Sequence, residues 1–239
     1  MRSFRIPRAA KISIGSVLGL AMALFALVGF AHTKAGRPLL AMMGRHGGAK
    51  VGCPLGYDVA ATPQQKEAAR ERFASAHRGE GLATARPALG FSLDVTTRAD
   101  VMAWASANGV ACQKPRAGAD LDCAGVPDAA LPEEFRGVGV QSLWLDFGAK
   151  DTLISVTAIR RDASAALISA TFGAVTLDLA KEAGPAASAE GDGSAARLSS
   201  GLLQQASAEY RFRNYYALTR ATNMGDAFVL TEEYRSLPN

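Results

Sequence analysis

The chemistry open to this chain rests on three cysteines, a handful of carboxylates and one cluster of arginines and tyrosines. Cys112 and Cys123 sit on the two arms of a segment, VACQK and LDCAGV, that alternates as a β-hairpin does, with the turn residues PRAGAD between them. In an oxidising compartment two thiols so placed pair as a disulfide, whereas strand burial alone would leave two buried thiols. Cys53 is then the odd one, and an odd thiol outside the cell invites an intermolecular bond, here a homodimer through Cys53. Met42, Met43, His46 and Cys53 together have the softness copper prefers, but their irregular spacing matches no ligand signature. The stretch reads as a linker, and no metal ion or other cofactor is expected.

Asp94, Asp120, Asp122, Asp146, Asp178, Glu232 and Glu233 are the acids available for catalysis. Two of them facing each other would suit glycoside hydrolysis, while solvated acids on strand faces and turns are the ordinary reading. All three histidines, His32, His46 and His77, precede residue 89. A Ser-His-Asp, Cys-His or histidine-zinc site in the body would therefore need an imidazole reaching in from the preceding segments. The stretch GRHGGAKVGCPLG lacks the Gly-Lys-Ser/Thr ending and the preceding strand of a phosphate loop. Tyr210, Arg211, Arg213 and Tyr215 form the best candidate contact patch, because Tyr and Arg are favoured where partners dock.

These residues are positioned by a chain of 239 residues whose net charge of +4 is unevenly spread. Eight basic side chains and no acid fall in residues 1–50, so residues 51–239 carry fewer basic than acidic groups, a poor footprint for a nucleic-acid binder. The N-terminal excess brackets an apolar run, Ile12 to Ala31, twenty residues without a charge. As a helix it would rise about 30 Å, enough to span a bilayer. Arg2, Arg5, Arg8 and Lys11 before it, with only Lys34 close behind, place the rest of the chain on the extracytoplasmic side. Small residues at Gly29 and Ala31, and again at Thr33 and Ala35, would suit a signal peptidase. Residues 1–35 thus read as a cleaved signal peptide or a single anchor, leaving the protein secreted or held in the inner membrane facing the periplasm.

Residues 36–88 read as a Gly-rich tether followed by a surface helix over 63–77, capped by Thr62 with Gln65 closing a capping box. Its one large apolar residue, Phe73, predicts little burial. Residues 89–239 read as an α+β domain of antiparallel hairpins with two helices on one face. LGFSLDV predicts a strand, and Thr97 with Asp100 caps a helix stopped at Gly109. QSLWLDF and TLISVTAI predict a hairpin over 139–160, with Leu143, Leu145 and Phe147 on one side and Trp144 on the other. Residues 162–183 predict a helix with Leu167, Ala170, Ala174 and Leu177 inward, and 184–200 a surface loop. AEYRFRNYYALTR, a turn over 223–226 and AFVLTEEY predict a closing hairpin, and the order suggests two copies of a helix followed by strands. The function expected is a non-catalytic extracytoplasmic domain that binds an envelope protein or a small ligand. The alternatives are a carboxylate hydrolase and a disulfide-braced spacer.

Overall fold

The computed structural model describes residues 63–113 and 120–238. The apolar run, the tether with Cys53, Thr62 and residues 114–119 lie outside the described residues. Among those described, no helix is long and apolar enough to cross a membrane.

The chain is α+β. Helix α1 spans Pro63–His77, followed by a small hairpin, β1 (Pro87–Ala88) and β2 (Phe91–Ser92), then α2 (Arg98–Ala107). The strands β3 (Ala111–Gln113), β4 (Leu121–Val126), β5 (Val140–Phe147) and β6 (Leu153–Asp162) run in succession. Helix α3 (Ala165–Glu182) carries the chain to β7 (Ser188–Glu190), and a short helix α4 (Ala195–Leu198) leads to β8 (Gln205–Arg211), β9 (Tyr215–Asn223) and β10 (Phe228–Ser236). One antiparallel sheet results, ordered β3-β4-β5-β6-β10-β9-β8-β7. Each of α2 and α3 thus precedes a four-stranded meander, and the meanders meet antiparallel at β6 and β10. The helix-then-strands pattern of the sequence has this as its counterpart.

Period-two alternation sorts the strands into an inner and an outer face. Leu143, Leu145 and Phe147 of β5, Val156 and Ala158 of β6 and Tyr234 of β10 turn inward, where Val101 and Ala105 of α2 and Val175 and Leu179 of α3 join the same core. Helix α2 opens on the expected capping box, with the Thr97 side chain accepting from Asp100 N and Asp100 accepting from Thr97 N. Helix α3 is unbroken, but its buried stripe is Ile168, Thr171, Val175 and Leu179, displaced by one or two positions from the expected one, and Leu167 and Leu177 are exposed. Thr171 can take a core position because its hydroxyl donates to Leu167 O within its own helix, 2.8 Å away.

Three further expectations are corrected. LGFSLDV is not one continuous strand: only Phe91–Ser92 is extended, as β2, and Leu89 and Gly90 adopt positive φ of 56° and 86°, the two-residue turn that folds β1 onto β2. Leu89 accepts the strained conformation because it is buried there, while Val95 points to solvent. The segment 184–200 is not a plain loop, since it supplies edge strand β7 and buries Leu198 beneath α4. The stretch AEYRFRNYYALTR is two strands, split by a turn at residues 212–214 that closes with Phe212 N donating to Tyr215 O.

Candidate functional site

Polar chemistry gathers on the outer face of the sheet, beneath α1. Lys66, Arg70, Phe73, Ala74 and His77 are spaced by three and four residues and so share one side of the helix. Lys66 Nζ donates to Asp120 at 2.6 Å. Arg70 donates to Ser236 O and Oγ and lies 3.4 Å from Asp94, which also accepts from Arg86 and from the Ser236 hydroxyl. Phe73 stacks on His77 and meets Tyr216 edge-on at 5.0 Å, and the Arg235 guanidinium covers its ring at 4.3 Å. Ala74 is fully buried. The helix is therefore seated by charge and rings where its apolar content promised little. The spacing of its basic and aromatic residues carried this signal, which a search for apolar residues alone passes over.

At the β4–β5 end of this seat two carboxylates lie side by side. Asp120 accepts from Lys66 and, at 2.9 Å, from Phe147 N, with Arg98 3.9 Å away. Asp146 is pushed up to about 6, first by burial and then by the Asp120 charge. At the other end, burial acts to raise Glu209, but hydrogen bonds from Arg211 and Tyr216 outweigh it and hold the carboxyl below its usual value, with His77 adding its charge. The Tyr216 phenol is raised by burial and by Glu209 and Glu233. Lys66, Glu209 and Tyr216 are not among the residues the sequence singles out. His77 reaches the sheet from the first helix, one of the two preceding segments from which an imidazole could come.

A second polar centre is buried in the inner face. Arg160 and Glu232 are both fully buried and paired at 2.5 Å, and Arg160 Nη1 donates to Phe135 O and Val138 O. Tyr234 OH donates to the other oxygen of Glu232. Arg160 Nη2 and Thr219 Oγ1 are buried without a hydrogen-bond partner. Of the remaining acids, Glu233 pairs with Arg235. Asp178 is raised by burial and by neighbouring Glu134 and Glu182. Asp122 is opposite Trp144 in the sheet.

Cys112 and Cys123 are direct partners across β3 and β4, with sulfurs at disulfide distance, 2.01 Å. The arginine and tyrosine patch divides. Arg211 and Arg213 are exposed, Arg211 pairing with Glu209 and Arg213 donating to Glu80 O. Tyr210 and Tyr215 are core residues, their hydroxyls donating to Thr176 O and Pro87 O, because the turn at 212–214 returns both rings to the inner face. They offer no surface to a partner. Among the described residues no group of three or more His, Cys, Asp or Glu side chains is placed to hold a metal ion.

The fold and seat define an α+β protein with an eight-stranded antiparallel sheet, one face packed by helices and the other carrying a polar-seated helix. Compared with known families, curated proteins and solved structures, the chain matches none.

The Asp146 carboxyl gives a prediction with a defined sign. Its pKa is higher in the folded than in the unfolded state, so protonation favours folding. The contribution is fully present below about pH 4 and is lost as pH rises through about 6. Asp146→Asn should therefore stabilise the protein by about 2 kcal/mol at neutral pH, with the gain vanishing below about pH 4. Urea unfolding of both forms across that range measures it, and a pH-independent difference would contradict the assignment.

Proposed function

We propose that this chain is an extracytoplasmic binding domain without catalytic activity, delivered by the Ile12–Ala31 segment and either retained by it or released. The observation that carries the non-catalytic part is the occupation of the acids. Asp94 is enclosed by Arg70, Arg86 and Ser236, Asp120 by Lys66 and Phe147 N, Glu232 by Arg160 and Tyr234, and Glu233 by Arg235. Side chains so committed serve as braces, because partners that stabilise the ionised carboxylate make it a weaker proton acceptor and a poorer proton carrier. Export is supported by the basic stub and apolar run, and by two cysteines registered opposite each other in a hairpin, an arrangement that oxidising surroundings convert to a bond. The partner class is an envelope protein or small ligand, with Cys53 available for a homodimer.

The test is thiol alkylation of denatured, unreduced protein from cells, combined with a periplasmic reporter fused after Asn239. One alkylated cysteine per chain and an active reporter are expected. Three reactive thiols with a silent reporter would overturn export.

A carboxylate hydrolase is the second reading, favoured by Asp120 and Asp146. One acid titrating near 6 beside one held by a lysine is the division of labour that acid catalysis requires. Lys66 roofs the pair. Hydrolysis of chromogenic glycosides near pH 5 by wild type, abolished in Asp146→Asn, would replace the first reading with this one.

A further inference from the structure

The β9–β10 turn and the loop that follows α4 form one rigid tip with three apolar side chains in water. Leu202 is 66% exposed, Leu203 62% and Met224 50%. Asn223 locks the two loops together. Its side-chain amide donates to Leu198 O and Gly201 O, both at 3.0 Å, its Oδ1 accepts from Gly225 N, and its backbone exchanges hydrogen bonds with Leu203 and Gln204. Leu202 lies against this turn, since a Cβ on Gly225 would meet its Cδ1 at 3.1 Å. Leu203 is held at φ 59°, a left-handed conformation that a leucine adopts at a cost. Leu89 is equally strained, but its side chain enters the core. At Leu203 the strain delivers a leucine to solvent, so two unfavourable features coincide at one exposed residue.

We propose that this tip inserts into the lipid interface, with Leu202, Leu203 and Met224 at the level of the acyl boundary. Three side chains are far short of the 20–30 residues, about 800 Å² per partner, that a stable protein–protein interface uses. A lipid interface needs no complementary shape, and burial of apolar area alone drives insertion. Arg197 and Arg220 are exposed on the elements that lead into the tip, and the ion pair of Arg161 on neighbouring β6 with Asp226 flanks the turn, a mix of charges that suits a headgroup layer. The inference rests on the membrane-tethered form of the reading above. Lys66, near the start of α1, is fixed at the Asp120 end of the sheet, and the tip is at the opposite end. Residues 36–61 are enough chain, about 90 Å at full stretch, for the far end of the sheet to lie on the membrane that holds the anchor.

The experiment uses the full chain in vesicles of phosphatidylcholine and phosphatidylglycerol, with brominated or plain acyl chains. Leu202→Trp and Met224→Trp report on the tip, and Val95→Trp, an exposed apolar position at the other end, serves as control. The emission of Trp104 and Trp144 in the parent protein is subtracted. Expected is loss of the Leu202→Trp and Met224→Trp emission in brominated lipid, with Val95→Trp unaffected. No quenching at the tip in protein that floats with the vesicles, or equal quenching at all three positions, overturns the proposal alone. A blue shift at position 202 that grows with protein concentration and is indifferent to bromine identifies a second copy as the occupant, and also overturns it. Protein that does not float with the vesicles removes the tether on which the inference rests.

Discussion

Arg160→Met should lower the free energy of unfolding by about 3–5 kcal/mol, a large part of an ordinary domain's stability, because it leaves the Glu232 carboxylate buried and unpaired. The whole arrangement fails with it. Phe135 O and Val138 O lose their shared donor, and with it the hydrogen bonds from Arg160 that hold the segment between β4 and β5 against the sheet beside its packed Leu131, Phe135 and Val138. Truncating both partners is predicted to be far milder than truncating one. In Arg160→Met with Glu232→Leu no charge remains to be desolvated, and the cost left is the Tyr234 hydroxyl and the two carbonyls. Chemical unfolding of the two single variants and the double variant measures this as a thermodynamic cycle. A double-variant loss equal to the sum of the two single losses would mean that the two side chains act independently and that their pairing contributes nothing.

The second large effect belongs to the hairpin at the sheet edge. Reduction of the protein, or Cys112→Ala with Cys123→Ala, should cost about 3 kcal/mol, since the bond closes a short loop in the unfolded chain. The loss falls on a weak place: β3 has only three residues and a single strand beside it. Hydrogen exchange at β3 and β4 should accelerate before exchange at β9 and β10, which pair with each other along nine residues and each have a further strand on the other side. A variant whose β3 amides remain as protected as in wild type would show that strand pairing alone holds the edge.

The legible part of the sequence is local. Thr97 and Asp100 make their capping box with each other, and Cys112 and Cys123 sit on strands that are adjacent in sequence, so spacing alone carries both. The α+β class follows from such pieces. The stripe of α3 is misplaced when leucine content is weighed above the ability of a threonine to satisfy its own hydroxyl within the helix. The strand through residues 208–220 reads as continuous because Tyr, Phe and Arg alternate across the turn without a Gly or Pro to mark it, although Asn214 stands there, its side-chain oxygen accepting from Ala83 N. Insertion of β10 between β6 and β9 joins residues about 70 apart in the chain, and no local pattern encodes that register.

The candidate site is less legible still. Asp120 and Asp146 both stand among the acids of the sequence, but their adjacency depends on β4 pairing with β5. The buried fate of Arg160 depends equally on long-range pairing, since on β6 it is followed at once by the exposed Arg161. Lys66, Arg70, Phe73 and His77 are the exception, because their common face is a property of helical spacing and is open to inspection from the start.

The two outermost strands, β3 and β7, have three residues each, and all three of β7 are exposed. A sheet whose flanks offer so few free amides and carbonyls gives an incoming strand almost nothing to zip onto. Many copies crowded on one surface should therefore stay separate instead of growing into ribbons or fibrils, leaving any assembly they form to be dictated by other parts of the molecule.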